Sequence, residues 1–255
     1  MARKRNKRRG RRHFGVIYKM LSLLVICGAI IAAMTLFFRV NTVVITGQQH
    51  YSEEEVLAAT GIRTGDNLFL LNKYSVAGRI VEQLPYVEEL RIKRKLPDTI
   101  LVELKECGRT MVIVQDDATW FISPSGKIVE QKSASAVGSF GVISGCKLLE
   151  PAVGQKIVFS EEDALRQSSL LELLAALESA DALKEVNGIR MDDLSSLSMD
   201  YMGRFTVRMP YNADYPYKLR MLKAALNSGK IQENMTGTFI MLQEDGQTNF
   251  VQNLR

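Results

Sequence analysis

The sequence contains few of the residue types on which covalent cross-linking and acid–base catalysis depend. It has 3 cysteines, too few for a disulfide scaffold, and 2 histidines, of which His50 is the one beyond residue 39. His50 stands in a polar turn with no cysteine or second histidine nearby in sequence. This pattern favours an exposed turn residue over a general base or a metal ligand. A glycine-rich phosphate loop, a Gly-x-Ser-x-Gly elbow and a His-Glu-x-x-His helix are also missing from the sequence.

The paired carboxylates that a glycoside hydrolase would need have structural explanations in this chain. Glu53, Glu54 and Glu55 open a predicted helix, where the helix dipole favours negative charge. The pairs at 161–162 and 192–193 indicate a helix start and a turn. The sequence therefore predicts a non-enzyme with no catalytic residue, cofactor, metal site or small-molecule substrate.

Acidic residues are missing from the first 39 positions, which carry ten lysines and arginines. The remaining residues comprise 23 basic and 28 acidic side chains, so the main part of the chain has a formal charge of −5 although the whole chain has +5. The basic charge therefore belongs to the N-terminal tail alone. The main part of the protein is mildly acidic.

Residues Met20–Phe38 form the one long uncharged run. At about 1.5 Å per residue a helix of this length covers roughly 28 Å, close to the ~30 Å hydrocarbon core of a bilayer. The excess of lysine and arginine before the run predicts a cytoplasmic N-terminus. We expect a basic cytoplasmic tail at 1–15, a transmembrane helix at 16–38 with Lys19, Met20, Phe38 and Arg39 at its ends, and the rest of the chain outside the cell membrane.

Two alternatives compete with the membrane anchor. A basic start followed by an apolar run is also typical of a cleaved signal peptide, but the run continues well past the small residues 28–33. Lysine and arginine blocks also bind nucleic acid, but no aromatic residue is interleaved with the basic run to read bases. We therefore expect contact with the lipid bilayer and none with nucleic acid. Cys107 and Cys146 would both lie outside, where a disulfide is chemically permitted, and two unpaired thiols are the default expectation.

The chain from 39 to 108 predicts a small domain with the element order β-α-α-β-β. A strand ends at Gly47, and Ser52 with Glu55 forms a capping box that begins a helix ending at Gly61. A second amphipathic helix, from about Lys73, stops before Pro85. Two strands then flank the turn at 95–98, and a three-stranded sheet with two helices can bury a core of its own.

Residues 109–255 predict a second, β-rich domain, so the fold class is α+β. Strands are expected at 111–114, 120–122, 127–129, 141–144, 189–191, 197–201, 204–209 and 238–242. A long helix capped by Ser160, with Asp163 assisting, has Leu165, Leu170, Leu174 and neighbouring leucines on its apolar face. A further helix spans about 216–227, and a turn at 244–246 leads to one more short strand.

The motifs of residues 1–106, in their order and spacing, resemble the FtsQ/DivIB family of bacterial cell-division proteins, with a POTRA domain directly after the membrane helix. The motifs are Phe38-x-Val40-x-x-Val43-x-Ile45-x-Gly47, Ser52-x-Glu54-Glu55-Val56, Gly61-Ile62, Gly65-Asp66-Asn67-Leu68, Leu84-Pro85-Tyr86-Val87, and Arg94-x-Leu96-Pro97-Asp98-Thr99-Ile100-x-Val102-x-Leu104-x-Glu106. The resemblance implies a non-catalytic, single-pass scaffold of the division machinery at the septum. It also implies partners of the FtsL and FtsB/DivIC type, which are membrane-anchored division proteins.

The resemblance implies that partners bind at the last strand of the β domain and the turn behind it. An exposed sheet edge within 238–251 could accept a partner segment as a further strand. The partner-binding residues expected from this comparison are Leu242, Gln243, Glu244, Gly246 and Phe250. Phe250 has an alternative interpretation as a core residue. An alternative function for the whole chain is a membrane-tethered envelope-assembly or wall-binding module that is not specific to division.

Overall fold

The computed structural model describes residues 11–232, 234–243 and 248–253. The elements in chain order are α1 (Arg11–Phe37), β1 (Thr42–Thr46), α2 (Glu53–Thr60), α3 (Lys73–Gln83), β2 (Val87–Lys95), β3 (Thr99–Glu106), β4 (Met111–Gln115), β5 (Ala118–Ile122), β6 (Ile128–Ser133), β7 (Gly141–Ser144), α4 (Ala164–Ser179), β8 (Val186–Arg190), β9 (Ser196–Tyr201), β10 (Phe205–Pro210), α5 (Tyr215–Leu226), β11 (Gly237–Ile240) and β12 (Asn249–Gln252). The predicted α+β class is confirmed.

The contacts between described residues divide the chain into two compact units. The first comprises the described residues up to Gln48 together with 52–79 and 90–104. The second comprises 49–51, 80–89 and the described residues from Lys105 onward.

The helix α1 contains a segment, Gly15–Phe37, that is long and apolar enough to cross a membrane. None of this segment is buried inside the protein. Its 23 residues cover about 34 Å, enough for the ~30 Å hydrocarbon core. The span thus begins a few residues before the uncharged run and includes Lys19, whose long side chain can reach the interface.

The first unit contains β1, which pairs in parallel with β3, and the three-stranded sheet has the order β1-β3-β2. Ser52 and Glu55 form the predicted capping box at the start of α2, and Gly61 ends the helix in the left-handed conformation. Along β3, buried residues alternate with half-buried ones, and Ile100, Val102 and Leu104 are buried as predicted. Period-two burial of this kind is typical of a sheet with one covered face.

The second unit contains a nine-stranded sheet with the order β12-β11-β10-β9-β8-β7-β4-β5-β6. One face of this sheet packs with α4 and α5 in a single large core that includes Leu170, Leu174 and Tyr215. A smaller cluster of Val112, Phe121 and Val129 lies on the neighbouring strands β4, β5 and β6. The strand β5 is buried along its whole length because it contributes side chains to both clusters.

The predicted start of α4 was wrong in its details. Ser160 precedes a short 3₁₀ turn, Glu161–Asp163, and its hydroxyl bonds to the Asp163 carboxylate at 3.2 Å instead of capping a backbone N–H. Arg166 also binds Asp163, at 3.0 Å. The regular helix therefore begins only at Ala164, and Leu165 in its first turn is 53% exposed instead of facing the core.

Gly47 ends β1 in a conformation that other residues rarely adopt, with φ +93°. A Cβ atom at this position would lie 1.8 Å from the carbonyl oxygen of Leu104 on β3. Gly65 has a similar φ of +96°, but no heavy atom lies within 4 Å of a Cβ atom placed on Gly65 itself. Substituting each glycine by alanine therefore distinguishes the cost of a positive φ alone, at Gly65, from that cost plus a steric clash, at Gly47.

We predict that Gly47→Ala lowers the free energy of unfolding of the first unit by about 4 kcal/mol or more, because a backbone oxygen cannot move aside. Gly65→Ala should lower it by only about 1 to 2 kcal/mol, the strain of a positive φ. Urea unfolding of the chain in detergent, followed by circular dichroism, measures both values. Equal losses for the two variants would contradict the close approach of β1 and β3.

Cys107 and Cys146 are both free in the structure, in line with the default expectation. Burial raises the pKa of each thiol to about 12. Because the thiolate is the reactive form, both thiols should be neutral and slow to react at pH 8.

We predict that iodoacetamide at pH 8 modifies neither Cys107 nor Cys146 appreciably in the folded protein, whereas both react in guanidinium chloride. Mass spectrometry of tryptic peptides measures the extent of modification at each site. Rapid labelling of the folded protein, or a peptide containing a disulfide between the two residues, would contradict the burial of these thiols.

Candidate partner-binding edge

The nine-stranded sheet ends at β12, which pairs antiparallel with β11. This is the additional short strand expected after the turn at 244–246. On the other side, β11 pairs in parallel with β10. Within the described part of the chain no strand pairs with the outer side of β12, so this strand is an edge.

The register of β12 determines which backbone groups face outward. The N–H of Asn253 donates to the carbonyl oxygen of Thr236 at 3.0 Å, which makes these residues a hydrogen-bonded pair. Bonded and non-bonded pairs alternate along antiparallel strands. Phe250 opposite Phe239 and Gln252 opposite Gly237 are therefore non-bonded pairs. Their N–H and C=O groups point away from β11, toward the open side of the sheet.

Phe250 fixes β12 against the rest of the sheet. Its ring lies 4.9 Å from the Phe239 ring and 6.2 Å from the Phe205 ring, centroid to centroid. Phe239 and Phe205 are buried, and Phe250 is a partly buried member of the same core. The alternative interpretation of Phe250 as a packing residue thus has direct structural support. The backbone of Phe250, and not only its ring, lies at the edge.

Gly237 leaves the space that this packing requires. A Cβ atom on Gly237 would lie 2.4 Å from the Val251 carbonyl oxygen and 2.7 Å from the Phe250 ring. Gly237 has an ordinary φ, so the requirement for glycine at this position is steric. Val251 itself projects to the opposite face of β12 and is 51% exposed.

The other predicted binding residues follow β11. Leu242 and Gln243 are both exposed, and the Gln243 carbonyl oxygen accepts a hydrogen bond from the Nζ of Lys218. Lys218 lies on α5 and is buried, a role that its place in an amphipathic helix did not suggest. Glu244 and Gly246 lie outside the described residues.

A cleft of about 380 Å³ adjoins the edge on the face that carries α5. Its apolar lining comes from Ile231, Met235, Phe239 and Phe250, and Gln252 borders it. A strand added to β12 would direct alternate side chains toward this face, because side chains alternate along a strand.

His50, the histidine weighed above as a general base or metal ligand, packs and hydrogen-bonds within the fold. The His50 ring stacks on the Tyr86 ring at 4.0 Å, and its backbone N–H binds the carboxylate of Glu106. Tyr86 donates to Glu130 at 2.8 Å, and burial, followed by this bond, raises the pKa of Tyr86. Burial raises the pKa of Glu130, but hydrogen bonds from Lys132 and Tyr86 outweigh burial and lower this pKa overall.

Among the described residues no group of three or more His, Cys, Asp or Glu side chains could hold a metal ion.

We predict that Gly237→Ala displaces β12 while the rest of the second unit keeps its structure. The new methyl group would overlap the Val251 oxygen and the Phe250 ring. Hydrogen exchange of the Val251 and Asn253 amides should therefore accelerate about tenfold or more, since loss of about 1.4 kcal/mol of local stability has that effect. Gly108→Ala is the control, because Gly108 has an ordinary φ and no heavy atom lies within 4 Å of its Cβ position. Equal exchange in both variants would contradict the packing of β12.

A family model for the FtsQ-type POTRA domain matches residues 38–106. The cell division protein DivIB of Clostridium tetani is 24% identical over 165 residues, covering 65% of this chain and 61% of that protein. The cell division protein FtsQ of Syntrophotalea carbinolica is 27% identical over 190 residues, covering 73% of this chain and 64% of that protein. The cell division protein FtsQ of Corynebacterium glutamicum is 27% identical over 177 residues, covering 68% of this chain and 79% of that protein.

The chain thus spans a little over three fifths of the length of the first two of these relatives. The matched POTRA segment begins at Phe38, directly after the apolar helix, and the alignments with whole relatives extend well beyond it. The chain therefore carries an FtsQ-type POTRA domain at residues 38–106, and over 65–73% of its length it is similar to cell division proteins named DivIB and FtsQ.

Proposed function

We propose that this protein is a non-catalytic, single-pass scaffold of the bacterial division machinery that binds other membrane-anchored division proteins by strand addition at β12. Its partners are of the FtsL and FtsB/DivIC type. The observation that carries the proposal is the outward row of backbone N–H and C=O groups on Phe250 and Gln252. The names of the relatives, all cell division proteins, support the role in division.

The edge offers a partner both hydrogen bonds and an apolar contact. Two outward-facing residues provide two donors and two acceptors, each worth about 1 kcal/mol net when paired. Four such bonds give a few kcal/mol, which alone corresponds to roughly millimolar affinity. The cleft beside Phe250 can add to this by accepting apolar side chains of the partner.

The membrane anchor makes such a modest interaction sufficient. Proteins anchored in the same membrane meet within a thin layer, so their effective concentration is far higher than in free solution. In the proposed topology the basic tail lies in the cytoplasm and the chain beyond Arg39 lies outside, because lysine and arginine are retained on the cytoplasmic side. The residues Leu242 and Gln243 would border the bound strand.

A proline at 252 tests the proposal at the level of one backbone group. Gln252→Pro removes an N–H that faces the open side, and proline is tolerated at sheet edges in that orientation. We predict that it weakens capture of an FtsL–DivIC pair by about tenfold or more, through one lost bond and the bulk of the ring. Gln252→Ala, which keeps the N–H, should bind nearly as well as the unaltered chain. Affinity measurements in detergent compare the three proteins.

Two outcomes bear directly on this prediction. Equal capture by the Gln252→Pro and Gln252→Ala variants, with unchanged thermal unfolding, would contradict binding at this edge. In cells, a fluorescent fusion should form a ring at the septum. A uniform membrane signal would instead favour the envelope-assembly or wall-binding alternative.

A further inference from the structure

The rest of the first unit follows directly from the end of α1, with no linker. Val40 donates to the Asp66 carbonyl at 2.8 Å, Gly65 donates to the Val40 carbonyl at 2.8 Å, and Leu68 donates to the Phe38 carbonyl at 2.9 Å. The residues that leave the membrane are therefore already paired with the segment 65–68.

The segment at 67–69 also contacts the last turn of the helix itself. The side-chain amide of Asn67 donates to the carbonyl oxygen of Met34, at 3.3 Å, inside the apolar span. The Phe69 ring packs edge-on against the Phe38 ring at 5.0 Å. These contacts place the loop at the level where the helix leaves the hydrocarbon core.

The loop and the helix turn after it expose large apolar side chains. Among the described residues of this loop and the first turn of α3, Leu70 is 80% exposed, Tyr74 is 90% exposed and Phe69 is also exposed. A soluble surface seldom presents neighbouring large apolar residues to this extent. Aromatic residues concentrate at the interface between membrane and water, where one end of the side chain is apolar and the other is hydrated.

The turn between β2 and β3, at residues 96–98, lies at the same end of the first unit as the loop at 67–70. Asn41, next to the membrane, donates through its backbone N–H to the Asp98 carbonyl oxygen at 2.9 Å, and Thr42 pairs with Thr99. The turn before Thr99 carries Leu96, which is 57% exposed. Arg94, at the end of β2, donates to the Leu71 carbonyl oxygen at 2.7 Å and joins this turn to the loop.

Basic residues accompany the apolar ones at this end. Arg39 is exposed and donates to the Thr35 carbonyl oxygen of the helix at 3.3 Å, and Lys95 is exposed beside Leu96. Apolar tips flanked by lysine and arginine fit an interface in which hydrocarbon lies below phosphate head groups.

We propose that the loop of Phe69, Leu70 and Tyr74, together with Leu96, docks on the outer interface of the lipid bilayer and holds the first unit against the membrane. The occupant of this surface is lipid because the surface continues the membrane-spanning helix without a break. The inference depends on α1 crossing the bilayer and is independent of binding at β12, so the two proposals fail separately.

Depth-dependent quenching in vesicles tests the proposal. The chain has 1 tryptophan, Trp120, so a Trp120→Phe background makes a single introduced tryptophan the only reporter. The full chain is reconstituted into vesicles of phosphatidylcholine and phosphatidylglycerol, with or without brominated acyl chains. We expect bromination to reduce the emission of the Leu70→Trp variant about twofold, as for residues at the membrane interface. Leu96→Trp supplies an independent reporter on the turn between β2 and β3.

Two matched positions make the result decisive. Leu36→Trp, within the span, should be quenched most strongly, and Thr46→Trp, at the far end of β1, should be unaffected. Equal emission of the Leu70→Trp and Leu96→Trp variants in both kinds of vesicle would overturn the proposal, as would unquenched Leu36→Trp. Protection of Leu70→Trp only after a partner protein is added would also overturn it, in favour of a protein occupant.

Discussion

An open sheet leaves a row of backbone N–H and C=O groups without a partner in the same sheet at each of its two edges. Among the described residues of the second unit these edges are β6 and β12, and β12 is a strand of four residues, Asn249–Gln252. The register of the pair with β11 turns Phe250 and Gln252 outward, while the Phe250 ring packs on Phe239 and Phe205. The same residue thus anchors the strand through its side chain and leaves its backbone N–H and C=O on the open side of the sheet.

The close packing around Gly237 explains how so short a strand keeps its register. Two-stranded pairings of this length are marginal by themselves, so the strand depends on the core beneath it. Phe250 occupies the space that a side chain at 237 would fill, and Lys218 holds the chain just after β11 through the Gln243 carbonyl. An edge held in this way is pre-organised, which would lower the entropy lost if a further strand paired with it.

The sequence predicted the first unit more fully than the second because local signals dominate there. The capping box at Ser52, the left-handed Gly61 and the alternation from Ile100 to Leu104 each fix one element by short-range chemistry. The orientation of Leu165 depended instead on a 3₁₀ turn held by Asp163, which no periodicity encodes. The buried Lys218 and the shared packing of Gly237 with Phe250 arise from contacts between distant segments. Such contacts leave no local pattern.

The central claim is that a partner pairs with the outer side of β12. Residue-resolved hydrogen exchange of the protein, free and bound to an FtsL–DivIC pair, tests it most directly. The outward amides of Phe250 and Gln252 should exchange freely in the unbound protein and become protected in the complex. The inward amides of Val251 and Asn253 should be protected in both states. Unchanged exchange at Phe250 and Gln252 in the complex, with new protection elsewhere, would contradict the account.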